Sequence, residues 1–289
     1  MTKLPNIKHR LAADKLTLWV VCLFAALTAV PLFLILGEVL LRGYDQLTWS
    51  FFTEPTPTAY KAMKAIEAGK PIPGGIANGI VGTLLMLFTA AVIAIPVGIL
   101  CGICLSEYRR HPFAKVVSYL TDLLQGTPSI IIGIITYIWV VVPMKGYSGF
   151  AGSVALFIMM LPLIIRSTEE TMNILPASLK EAGLALGGSY WRVMLRVMLP
   201  ASFGSIFTGI LLAISRVVGE TAPLMFTALG GAAISYNMGR PMSAVPLMIW
   251  EFFNDPNLQD LIWGASLFLL TLVLCLNLLA KRIARKWKI

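Results

Sequence analysis

Two charges stand where charge is expensive. Arg216 and Glu220 interrupt an apolar stretch that runs from Val197 to about Gly231. A lone charge at mid-bilayer costs at least about 2.5–3.5 kcal/mol on insertion scales. A spacing of four puts both side chains on one face of a helix, where each offsets part of the other's cost. Pro223 cannot donate to the carbonyl of Gly219, which leaves open backbone beside Glu220. A charge pair beside interrupted backbone is expected to line a polar path or gate. The alternative is a structural ion pair that locks helices together. Arg166 closes another apolar run, and it either joins that path or anchors the chain at the interface. Asp122, followed by Gly126, Thr127, Pro128 and Ser129, marks a second break. There Pro128 frees the Leu124 carbonyl, and Gly126 and Gly133 permit close packing. Gly98 and Gly102 form a G-x-x-x-G that reads as helix packing.

A second group lies between Arg166 and Pro200. Ser178 and Glu181 have the spacing of a capping box, and Gly187-Gly188 suits a left-handed turn closing a short helix. Ser189 then caps a second helix that runs into Pro200. The small residues Ala182 and Gly183 would let another surface approach closely. On local chemistry alone, a hairpin lying on the lipid surface fits as well as a docking element for a soluble partner.

The elements that hold these residues follow from composition. Of 289 residues, 57% are hydrophobic and 13% charged, about half the usual charged share. A soluble chain cannot hide that much apolar surface, so this is an integral membrane protein. Uncharged runs long enough to cross a bilayer lie at 16–37, within 71–106, and at 123–144, 146–165, 197–215 and 261–280, since about 20 residues are needed. That predicts six spans, the first too long for a signal h-region. If both termini are cytoplasmic, the inner segments hold sixteen Lys and Arg and the outer ones six, which favours that orientation. The formal charge of +9 is then mostly a topology signal, and no nucleic-acid partner is expected. The predicted organisation is a cytoplasmic N-terminus (1–15), a first span (16–41), an external loop (42–75), a helical core (76–280) with an inner loop at 166–200, and a basic cytoplasmic tail (281–289).

Catalysis finds little support. The only histidines, His9 and His111, lie outside the spans, and neither H-E-x-x-H nor G-x-S-x-G occurs. Gly69-Lys70 lacks the remainder of a phosphate-binding loop. The four cysteines, Cys101-x-x-Cys104 included, lie in apolar runs and read as small buried hydrophobes rather than as metal or redox groups. No catalytic or metal-binding residue is expected.

The segment Glu181-Ala182-Gly183, three residues, Gly187, nine residues, then Val197-Met198-Leu199-Pro200 resembles the "EAA" loop of ABC-importer permeases, E-A-A-x3-G-x9-I-x-L-P. Every spacing matches, and two positions depart conservatively: Gly183 for Ala and Val197 for Ile. The resemblance implies a type I importer (MetI-like) all-α permease fold of six transmembrane helices. It also implies that this loop, with Glu181, Ala182, Gly183, Gly187, Leu199 and Pro200, docks on a separate ATPase. Thr127-Pro128-Ser129-Ile130 with Gly133, the run Ile165–Glu169 and the run Arg216–Leu224 further resemble the phosphate-specific permeases of that family. From span two to the C-terminus the likeness is continuous. It implies that Arg166, Arg216 and Glu220 serve phosphate passage. It further implies a homologous second permease as heterodimer partner, two copies of an ATP-binding subunit and an external phosphate-binding protein, in the bacterial inner membrane. ATP and Mg would be used by the partner, with no cofactor on this chain. The other readings are a permease for another oxyanion, or a secondary carrier or channel relaying ions through Arg216 and Glu220.

Overall fold

The computed structural model describes residues 7–70 and 72–286. Lys3 and Lys288, counted among the inner charges, and Pro71 of the 42–75 loop lie outside the described residues. Outer and inner follow the orientation assigned by charge.

The first apolar run forms α1, Ile7–Tyr44, extending past its predicted inner end and accommodating Pro31. None of its most apolar window is buried within the chain. It meets α14 (Gln259–Lys286) at its outer end, where Gly43 lies against the backbone oxygen of Trp263. There Arg42 stacks over the Trp263 ring at 5.0 Å and pairs with Glu38.

The external loop is folded rather than extended. It holds α2 (Trp49–Thr53), capped by the Thr48 side chain, and α3 (Ala59–Glu67). Phe51 is buried with Ala62, Ile76, Val245 and Phe252. Gly75 sits so close that a Cβ would fall 2.0 Å from the Phe51 carbonyl oxygen. Asn78 then ties three segments together. Its Oδ1 accepts from the Thr56 N–H and hydroxyl at 3.2 and 3.1 Å, and its Nδ2 donates to Gly231 O at 2.7 Å.

The core is the pairing of α4 (Ala77–Glu107) with α8 (Gly149–Ile174). Small residues let the backbones meet: Gly98 faces Ile164, and Gly102 faces Thr168 and the Ile165 carbonyl. The G-x-x-x-G reading is therefore correct. Between these helices, span three is broken. α5 (Pro112–Gly126) and the helical stretch Ser129–Met144, which α6 (Ser129–Thr136) opens, are bent by 106° across Thr127-Pro128. A π-helical turn, Tyr137–Val141, and α7 (Val142–Met144) complete the span. Thr127 resolves the backbone problem at the break, because its hydroxyl donates to Leu123 O at 2.7 Å and its N–H to Leu124 O at 3.3 Å. Gly133 does admit a neighbour, Pro223, but Gly126 has open space around it and serves no packing.

The inner loop is shorter than 166–200, since α8 continues to Ile174. It comprises α9 (Ala177–Ala185), α10 (Tyr190–Val193) and a π-helical turn, Met194–Met198, that leads without a break into α11 (Leu199–Val218). After α11 come α12 (Ala222–Met225), an irregular stretch, and α13 (Val245–Asn254). The last is a half-length helix that the apolar runs did not predict. Irregular backbone at this depth is satisfied by protein: Ser148 N–H donates to Thr227 O, Gly149 N–H to Arg240 O, and Val245 N–H to Thr83 Oγ1. The described residues contain five helices long and apolar enough to cross a membrane, or six with the bent pair counted as one. This is the six-span count. The cysteines depart from expectation. All are free, with Cys22, Cys104 and Cys275 on exposed helix faces and only Cys101 partly covered.

Candidate functional site

The two charges of the fifth span do not form the expected pair. α11 stops at Val218 and Gly219 follows as its cap, so Glu220 lies beyond the helix, its N–H bonded to Val217 O at 3.1 Å. Arg216 and Glu220 therefore do not share a helix face, and among the described residues no ion pair joins them. Pro223 opens α12 instead of kinking a continuous helix, because the chain has already turned at Gly219.

This separation leaves Arg216 available. Ile206, Ile210, Ala213 and Val217 bury one side of α11 against the core. Ser205, Leu212, Arg216 and Gly219 form an exposed stripe on the other. Neither Arg216 nor Glu220 has a side-chain hydrogen bond within the chain among the described residues. Arg216 thus presents its whole fork of N–H donors on an apolar face, a fork that matches an oxyanion in shape and charge.

Arg166 is placed very differently. Its Nε donates to Asp122 Oδ1 at 2.9 Å, and its Nη2 lies 2.5 Å from the same oxygen. Nη1 donates to Glu169 Oε2 at 2.6 Å, and Nη2 also reaches the Ser118 carbonyl and hydroxyl at 3.0 and 2.8 Å. One guanidinium is thus matched by two carboxylates and nearly all its donors are used. The cluster carries a formal excess of negative charge, so it fastens α5 to α8 better than it receives an anion. The sequence marked Asp122 as part of a helix break, and nothing local indicated that its carboxylate would seek Arg166.

In the inner loop the Gly turn forms as expected. Gly187 adopts φ +78°, Gly187 N–H bonds to Leu184 O and Gly188 N–H to Gly183 O, the paired bonds of a Schellman closure. The capping box does not form. α9 starts at Ala177 with Pro176 in the cap position and no side-chain cap, so Ser178 and Glu181 fall inside the helix and on its exposed face. Ser189 occupies the cap position of α10 through its backbone only. Gly183 also differs from expectation: a Cβ there would meet Val193 at 2.8 Å, so its smallness serves contact within the chain. Ala182, Leu184 and Leu186 face outward, Leu186 at 90% exposure. Leu199 packs against the core, and Pro200 is exposed at the start of α11.

Comparisons with known proteins bear on the family and the fold. Residues 94–289 match the family described as "Binding-protein-dependent transport system inner membrane component". The chain is 40% identical over 257 residues to "Phosphate transport system permease protein PstA" of Yersinia pestis, covering 88% of this chain and 84% of that one. Its counterpart in Pasteurella multocida (strain Pm70) is 37% identical over 250 residues, covering 86% and 85%. That of Mycobacterium leprae (strain TN) is 31% identical over 278 residues, covering 94% and 88%. Among solved structures, a chain of the MetNI methionine ABC transporter in an inward-facing crystal form superimposes with a TM-score of 0.59 at 17% identity, covering 81% of this chain and 99% of that one.

Proposed function

The chain belongs to the binding-protein-dependent transport system inner membrane components, and within them to the PstA permeases; we propose that it forms half of the path by which an ATP-driven importer carries inorganic phosphate inward. It is a multi-pass permease of a phosphate ABC transporter in the bacterial inner membrane and not itself an enzyme. One observation carries the finer reading: Arg216 stands without a partner among the described residues on an open stripe of α11, and the same continuous helix begins at the inner loop.

In this reading the stripe faces a homologous second permease, and the path runs between the two. Arg216 offers paired N–H donors to phosphate oxygens. Inorganic phosphate at neutral pH keeps a proton. The Glu220 carboxylate, freed from α11 by the Gly219 turn, accepts that O–H and repels fully ionised sulfate. Arg166, already neutralised, belongs to the path as part of its inner wall. The exposed face of α9, with Glu181, Ala182 and the Leu184–Leu186 end, docks on a cytoplasmic ATPase present in two copies, and that subunit uses ATP and Mg. Both termini are cytoplasmic, and an external phosphate-binding protein delivers to the face formed by the 42–75 loop. This chain holds no cofactor. The end of α11 at Val218, between Arg216 and Glu220, supports the importer reading over a carrier or channel that relays ions through a linked pair.

The test is labelled phosphate uptake by the assembled complex in proteoliposomes. Arg216→Gln removes charge-assisted hydrogen bonds worth about 1.5–3 kcal/mol, so uptake is expected to fall roughly 10- to 150-fold with assembly intact. Wild-type uptake would remove Arg216 from the path. Selective gain of sulfate transport in Glu220→Gln would support the proton-reading role, and unchanged selectivity would reject it.

A further inference from the structure

Glu107, the last residue of α4, ends a helix on a carboxylate, where the helix macrodipole disfavours an anion. The structure compensates across a sequence separation of 73. Lys180 of α9 forms an ion pair with Glu107. The Lys180 ammonium also lies 5.1 Å from the centre of the Tyr190 ring. Lys180 of α9 thus bridges Glu107 of α4 and the Tyr190 ring of α10. At the same level the Ser106 hydroxyl donates to Asn173 Oδ1 at 2.7 Å, joining α4 to the end of α8.

α9 needs such a brace. It has nine residues and no buried side chain, too few for a helix to be stable by itself. It hangs between the Leu175-Pro176 corner and the Gly187-Gly188 turn, either of which would absorb a push by bending. Among the described residues, the only charged side chain that pins α9 to the membrane helices is Lys180. Behind Glu107 stands the close seam of α4 with α8, and behind Tyr190 runs the helix that carries Arg216.

We propose that Glu107, Lys180 and Tyr190 form a strut that converts displacement of α9 into joint movement of α4 and α11, so that they are positioning residues for the coupling of ATP hydrolysis to transport. This rests on the reading of α9 as the ATPase-facing surface. The strut differs from that surface, because its three groups point toward the membrane helices and α9 docks with the opposite side.

The experiment uses the full complex in proteoliposomes, with three readouts: retention of the ATPase subunit, ATP hydrolysis, and phosphate moved per ATP. Glu107→Gln and Lys180→Gln are expected to retain the ATPase and hydrolyse ATP within about twofold of wild type, while phosphate per ATP falls roughly tenfold. The exchange Glu107→Lys with Lys180→Glu is expected to recover phosphate per ATP to within about threefold of wild type, as the coupling term of a double-mutant cycle requires. A wild-type ratio in the single variants, or an exchange variant that holds the ATPase yet stays as low as the singles, would overturn the strut. Should the single variants fail to assemble, Tyr190→Leu, which keeps an apolar side chain and removes the ring beside Lys180, is read by the same ratio: a fall supports the strut and a wild-type value overturns it. Glu181→Lys, on the docking side, separates the two readings. It is expected to release the ATPase subunit, and its retention would sink the docking surface irrespective of what the strut variants do.

Discussion

Gly102→Ala adds one methyl group to the seam on which both ionic fastenings hang. A Cβ at Gly102 falls 2.6 Å from Thr168 Cβ, 2.7 Å from the Ile165 carbonyl oxygen and 3.0 Å from Thr168 Cγ2. Ordinary contact begins near 3.4 Å, so the helices must separate by about 0.8 Å at this level. Neither obstacle can swing aside: one is backbone, and Thr168 is fully buried. Overpacking of this kind costs about 1–3 kcal/mol, and a gap of that size forfeits a quarter to a half of the dispersion energy of the flanking contacts. For a chain of this size the loss corresponds to a fall of about 2–10 °C in thermal midpoint. The assay is thermal unfolding of the purified complex, with Gly37→Ala as control. Gly37 lies in α1 with nothing within 4 Å of its Cβ position, and there alanine gains helix propensity of up to about 1 kcal/mol. The control is therefore expected at or above the wild-type midpoint. A Gly102→Ala protein that unfolds together with the control would refute the claim that this seam is closed by the absence of a side chain. It would also weaken the strut, because Glu107 would then stand on a helix free to shift.

Two further outcomes follow from the same geometry. Arg166→Gln removes the fork that holds Asp122, Glu169 and Ser118, so α5 is expected to loosen and the Arg109-Arg110 turn before it to be cut by trypsin several-fold faster; Asp122→Asn, at a carboxylate 57% exposed, loses about 1 kcal/mol or less and is expected to change cleavage little. Equal protection of the two variants would show that α5 is held by other contacts. Gly183→Ala brings a methyl against Val193, so it is expected to lower retention of the ATPase subunit, and adding Val193→Ala is expected to restore it; a single variant that binds as well as wild type would remove Gly183 from the packing of the loop.

The residue pattern alone determined the class of the protein, the number of spans, the break in span three, the close seam at Gly98 and Gly102 and the Gly turn after α9. Each depends on properties a short stretch of chain carries by itself: hydrophobic length, a proline that cannot donate, or a glycine that can adopt φ +78°. The tertiary structure decided the rest. Gly219 and Pro223 are local stop signals, but the apolar run continues past them, and tertiary contacts decide that α11 ends at Val218: the turn is held by Gly133 against Pro223 and by the Thr221 hydroxyl, which donates to Pro246 O at 3.5 Å. That choice separates Arg216 from Glu220 and leaves the arginine open. The partners of Arg166 and Lys180 lie 44 and 73 residues away, and Gly183 packs against a residue of the next helix. Helix crossings bring such groups together, and crossings follow from the packing of whole faces, which no window of sequence contains.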